Sequence, residues 1–137
     1  MARSFAVFFL AIAAAACGDR QTGISRLQGE WGCDPRLTWE KRMPGKAFPS
    51  DAEQDPMVRM CRSLTIAFDT RNNTVAVRSS MNERLDWSGR YTAVTAANGK
   101  IGLDVNGVLE IFELGRNHSL VTYPENDISQ ALVFSKK

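Results

Sequence analysis

The sequence predicts an all-β protein: a small antiparallel up-and-down β-barrel of about eight strands, with one long irregular loop after the first strand. Three observations predict it. After Cys61, apolar residues alternate with polar ones at a period of two, the mark of half-buried strands. Turn signals recur at the roughly 8–12-residue spacing of barrels and sandwiches. Asn98-Gly99 and Asn106-Gly107 are two-residue hairpin signals, and hairpins in sequence favour a meander.

In chain order, Leu27, Trp31 and Cys33 share one face of the first strand, with a glycine between Leu27 and Trp31 where packing across the strand is close. From Asp34 to Met60 the period is lost. That stretch holds Pro35, Pro44, Pro49 and Pro56, a basic first half (Arg36, Lys41, Arg42, Lys46) and an acidic second half (Asp51, Glu53, Asp55). Loops of this length are usually functional or disordered. Ser50 with Glu53 has the pattern of a capping box, allowing one helical turn before Cys61, and Pro56 argues against a longer helix.

Leu64, Ile66 and Phe68 alternate, Asp69 to Asn73 turns the chain, and Val75 and Val77 alternate back. Leu85, Trp87, Gly89, Tyr91 and Ala93 share the parity of one long or bent strand. The two hairpin dipeptides bracket Ile101, Leu103 and Val105 too tightly for a helix. Leu109 and Ile111 oppose Val108, Phe112 and Leu114. A turn at Gly115 to Asn117 leads to Leu120 to Tyr123, and a loop at Pro124 to Ser129 to a last strand at Ala131 to Phe134.

Ahead of this domain, Met1-Ala2-Arg3 and the 12 residues Phe5 to Ala16 form a positive leader and an apolar run. The run is shorter than the ~20 residues needed to cross a bilayer and fits a secretory signal peptide over residues 1–16. Ala14-Ala15-Ala16 satisfies the small-x-small rule of ordinary cleavage. The same junction resembles a bacterial lipobox, with Ala14 where leucine is usual, which implies cleavage before Cys17 and its acylation. Parity favours lipidation. With three cysteines in an oxidising compartment, acylating Cys17 leaves Cys33 and Cys61 as one disulfide pair. Residues 17–26 then form a lipidated tether and residues 27–137 the barrel domain. Gly18 stands where aspartate would retain a lipoprotein in the inner membrane, so the resemblance implies the outer membrane, facing periplasm or cell surface.

Losing residues 1–16 removes Arg3 alone among the charges, so the net charge falls from +2 to +1. Such a surface draws neither nucleic acid nor anionic lipid from a distance, and no nucleic-acid partner is expected. His118 is the only histidine and sits at a turn, so neither a Ser-His-Asp nor a Cys-His arrangement assembles. Zinc sites lack ligands for the same reason, and no metal, cofactor or enzymatic activity is expected. Glu110 and Glu113 fall on opposite faces of one strand and do not work as a pair; Glu125, Asn126 and Asp127 read as a solvated loop.

Trp31, Trp87, Phe68, Tyr91 and Phe112 read as core by their alternation. Trp39 and Phe48 lie in the proline-rich segment instead. They are either folded over the barrel mouth or presented to a partner, and the mixed charges beside them suit a protein contact.

Gly29-Glu30-Trp31 resembles the opening Gly-x-Trp of lipocalin-like barrels, which implies that Trp31 packs across the closed barrel end. The strand spacing over 27–137 and the closing Ala131 to Lys136 extend that resemblance. The chain also resembles small bacterial inhibitors of secreted metalloproteases, eight-stranded barrels with one disulfide after a Gly-x-Trp strand. A lipid on Cys17 would tie down the arm those inhibitors insert into their target. Ser88-Gly89-Arg90-Tyr91 is similar to a motif of membrane-bound lysozyme inhibitors. The function expected is a membrane-anchored, non-catalytic module that binds or inhibits a protein partner; a carrier of a small apolar ligand is the alternative.

Overall fold

In the computed structural model, residues 23–94, 100–124 and 128–137 are described. The expected signal peptide, Cys17, the hairpin turn expected at Asn98-Gly99 and residues 125–127 of the expected last loop lie outside them. The strands are β1 (Gly29–Cys33), β2 (Leu64–Asp69), β3 (Thr74–Ser79), β4 (Trp87–Val94), β5 (Lys100–Val105), β6 (Val108–Leu114), β7 (Ser119–Thr122) and β8 (Leu132–Lys136). They close into a barrel in sequence order, each antiparallel to its neighbours, with β8 returning to β1 through Trp31 opposite Lys136 and Cys33 opposite Phe134. This is the up-and-down barrel that the alternation and hairpins predict.

Turn chemistry sets the register. Between β5 and β6, Asn106 and Gly107 take φ of 54° and 84°, as a type I′ turn requires. The Asp104 side chain accepts the Gly107 amide at 2.9 Å. At the β2–β3 turn, Asp69 accepts from the Arg71 and Asn72 amides and from the Asn72 side chain. The Asn72 side chain first, with its backbone, holds the Asp69 carboxyl below its ordinary pKa.

Register also assigns the ends. Gly29, the β2–β3 and β6–β7 turns and Lys136 lie at one end. Cys33, Leu64, Ser79, Trp87, the β5–β6 hairpin, Thr122 and Leu132 lie at the other. The first end is closed. Residues 24–28 turn across it, with the Leu27 amide donating to the Ile24 carbonyl at 2.9 Å. Leu27 is fully buried, and Ile24 packs on the core, so folded structure begins before the expected boundary at 27. The Gln28 side chain accepts from the amide and hydroxyl of Thr70, both at 2.8 Å, tying this segment to the β2–β3 turn.

The barrel interior is filled. Phe68 from β2 meets Phe112 from β6 edge-on at 5.5 Å, and Trp31, Ile66, Leu103, Leu120 and Phe134 complete the cluster. Strands of four to eight residues leave no room for a wide lumen. Tyr91 is buried there with a hydroxyl that has no hydrogen-bond partner among the described residues, and desolvation raises its pKa.

The segment expected to be an irregular loop is largely ordered. It forms α1 (Pro35–Arg42), a 3₁₀ turn (Ala52–Gln54) and α2 (Pro56–Ser63). Both helices start on aspartate caps followed by proline: Asp34 accepts from the Leu37 amide, and Asp55 from the Met57 and Val58 amides. Proline at the first helical position has no amide hydrogen to leave unpaired and a preset φ, so Pro56 initiates α2 instead of limiting it. The single turn expected after Ser50 forms as the 3₁₀ turn, with Asp51 at its cap position, and α2 beyond it is capped by Asp55. The difference arises because the proline reads as a breaker from composition and as a starter from position.

Candidate functional site

Two regions outside the filled core gather chemistry: the helical insertion between the cysteines, and the open end of the barrel.

The insertion is held at both ends. Cys33 at the end of β1 and Cys61 in α2 form a disulfide with Cα atoms 5.2 Å apart. Closing a loop with a sequence separation of 28 is worth about 3.5 kcal/mol in the chain-entropy account. Fully buried Thr38 sits over the sulfurs, its hydroxyl 3.7 Å from Cys33 Sγ and 3.6 Å from Cys61 Sγ. That hydroxyl accepts from the Val133 amide at 3.0 Å and reaches the Val133 carbonyl at 3.4 Å, so it pairs with β8 in place of a strand neighbour. Arg42 donates to the carbonyls of Ala131 and Gln130 at 2.7 and 3.2 Å. Helix α1 is thereby clamped to the outside of β8, where Leu37 packs on Val121, Ala131 and Val133.

Trp39 and Phe48 belong to neither hydrophobic cluster of the barrel. They meet each other edge-on at 6.0 Å, and the Trp39 indole donates to the Lys46 carbonyl at 3.2 Å. The Arg36 guanidinium lies 4.6 Å over the Phe48 ring, a cation–π contact. The two residues singled out from sequence are brought together as one half-exposed aromatic cluster on the insertion. Beside it a cleft of about 430 Å³ runs between α1 and the β1–β8 edge, carrying Phe48, Arg36, Arg62, Lys136 and Lys137 against the single acid Asp34. Arg62 pairs with Glu53 at 2.5 Å and Lys137 with Glu30 at 3.3 Å, both on the surface.

The open end differs from expectation. Trp87 is 38% exposed, not core, because β4 begins at the barrel rim. Leu85, expected on the same strand face, lies in a 3₁₀ turn (Glu83–Leu85) that joins β3 to β4. A cavity of about 230 Å³ opens here, floored by Ile66, Phe112 and Phe134 and walled by Leu64, Trp87 and Glu110. Glu110 shares the inward parity of Phe112, and desolvation pushes its carboxyl above the usual glutamate range. Sequence reading passed over Glu110 by testing it only as a partner for Glu113. The signal was there in its spacing of two from Phe112 and four from Leu114.

His118 is exposed, in a turn with φ of 56°. Among the described residues no group of three or more His, Cys, Asp or Glu side chains converges as a metal site, and no helix is long and apolar enough to cross a membrane. Comparison with family models, curated proteins and solved structures finds no match to this chain.

Proposed function

We propose that this protein is a membrane-anchored bacterial envelope lipoprotein whose barrel is a non-catalytic module that binds or inhibits a protein partner. The observation carrying the binding reading is the Trp39–Phe48 pair with its Arg36 contact, displayed on an insertion clamped by a disulfide and by Thr38 and Arg42. A rigid aromatic and arginine cluster loses little entropy on binding, and these residue types dominate interface hot spots. The adjoining cleft has four cations and one acid among its lining residues, and Arg36 and Lys136, which make no ion pair among the described residues, suit an acidic peptide segment. The anchor reading is supported by pairing: the disulfide occupies two of three cysteines and leaves Cys17 with no cysteine partner in the chain. On that reading the lipid sits on Cys17, in the outer membrane facing periplasm or cell surface.

At the barrel mouth size counts against the carrier alternative, although an open apolar hollow of about 490 Å³ lies along β2, β3 and β4. The mouth cavity of about 230 Å³ falls short of the roughly 300–1,000 Å³ of pockets for drug-sized ligands.

The test uses the full chain expressed in a bacterial envelope. Intact mass should locate acyl chains on Cys17 and none on Cys17→Ser. Trp39→Ala with Phe48→Ala should cut partner co-purification at least tenfold while the thermal midpoint stays nearly unchanged. Equal capture by both proteins, or a large fall in the midpoint, would refute the assignment of this surface.

A further inference from the structure

The open mouth is organised around one unpaired charge. Glu110 projects inward beside Phe112, in register with fully buried Leu103, and it makes no ion pair or hydrogen bond among the described residues. The remaining lining of the cavity is apolar or aromatic, Thr122 apart. Trp87 lines the cavity, and Leu85, Met81 and Val108 lie at the same end of the barrel; these are four of the six large apolar side chains left exposed among the described residues. Register places them together: Trp87 opposes Val77 at this rim, Met81 and Leu85 lie on the β3–β4 connection, and Val108 leaves the β5–β6 hairpin. At Gly89 an added Cβ would meet Asn106 at 2.7 Å and Val105 at 2.9 Å, so a glycine there lets the hairpin lean in over β4.

We propose that this mouth binds an ammonium group carried on a short apolar stem, with Glu110 as its counter-ion and Trp87 as its aromatic wall. A carboxylate stripped of part of its water with no partner is costly, and a cation restores the lost interaction. The indole face attracts the same cation. Leu64, Ile66, Phe112 and Phe134 receive the stem. The volume of about 230 Å³ suits a group the size of a lysine side chain or a small alkylamine, and excludes a lipid. An anionic ligand would set like charge against Glu110. Among the described residues no second carboxylate, histidine or cysteine lines the cavity, so they supply neither a metal-ligand set nor an acid–base pair there. Its lining shares no residue with the cleft beside the Trp39–Phe48 pair.

The ammonium group has two sources, a free amine or a lysine side chain of a partner. The test titrates the full chain in nanodiscs at pH 8 with n-butylammonium, with neutral 1-butanol as its near-isostere, with butyrate, and with N-acetyl-lysine-amide. The readout is the indole N–H resonance of Trp87, assigned by Trp87→Phe. Saturable shifts are expected for n-butylammonium with at least fivefold preference over 1-butanol and none for butyrate. Glu110→Gln, which keeps the shape, should abolish that preference while leaving the melting transition intact and capture by the Trp39–Phe48 surface unchanged. Tighter binding of N-acetyl-lysine-amide would assign the source to a partner's lysine, and tighter binding of n-butylammonium to a free amine. Equal affinity for n-butylammonium and 1-butanol, the same preference in Glu110→Gln, or no saturable shift with either cation would overturn the proposal.

Discussion

Two tryptophans at opposite ends of one barrel have opposite surroundings. Trp31 at the closed end is 2% exposed, its indole donates to the Leu27 carbonyl at 2.8 Å, and the Lys136 ammonium lies 4.9 Å over its ring. Trp87 at the open end is 38% exposed, beside a carboxylate that no partner among the described residues neutralises. At the closed end a segment of chain crosses the barrel and accepts the Trp31 indole proton. At the other end Met60 of the insertion packs against the core, while Trp87, Leu85, Met81 and Val108 stay exposed to solvent. The paired indole of Trp31 belongs to the stable core, and the exposed indole of Trp87 is left free to meet a ligand.

The sharpest way to break this contrast is Trp31→Ala. Emptying a buried tryptophan site costs about 3–5 kcal/mol, a large part of the ~5–15 kcal/mol available to a domain. Chemical denaturation should show the barrel close to unfolding in water; a loss near 1 kcal/mol would mean that Trp31 is not the closing residue. Next in size is removal of the disulfide by Cys33→Ser with Cys61→Ser, expected to lower stability by about 3.5 kcal/mol. Proteolysis should then cut first within 34–60, since the covalent brace on the insertion is lost while Thr38 and Arg42 still hold it to β8.

Trp87→Ala should cost only about 1–2 kcal/mol, and a loss equal to that of Trp31→Ala would erase the distinction between the ends. Glu110→Leu should act in the opposite direction and raise stability by about 1 kcal/mol at pH 7, because an unpaired carboxylate in an apolar mouth is destabilising. The sign with pH follows from its raised pKa. The folded state holds the Glu110 proton more tightly than the unfolded chain, so this group's penalty is full above the folded pKa. The penalty fades as pH falls through the folded value toward the ordinary glutamate value of ~4.3. The advantage of Glu110→Leu over the parent should therefore shrink on acidification, and an advantage independent of pH would show that ionisation is not its source.

Much of the architecture was legible in the chain because period and turn chemistry are local. Leu64, Ile66 and Phe68 alternate whatever surrounds them, and Asn106-Gly107 prefers a left-handed turn in any hairpin. Two features resisted local reading. Asp34-Pro35 and Asp55-Pro56 open helices, yet prolines spread through a polar stretch look like loop chemistry until an aspartate is seen capping each. Trp87 alternates like a core residue, and alternation says which face a side chain takes but not how near the rim it stands.

The sequence by itself determined an eight-strand all-β order, the cysteines able to pair, and Trp39 and Phe48 as aromatics set apart from the core. Only the tertiary structure decided that Trp39 meets Phe48, that Thr38 locks the insertion to β8, and that Glu110 faces an apolar mouth. The physical reason is range. Strand and turn preferences act between residues a few positions apart, whereas the Thr38–Val133 bond spans 95 positions. The mouth likewise assembles side chains from several strands that only barrel closure brings together.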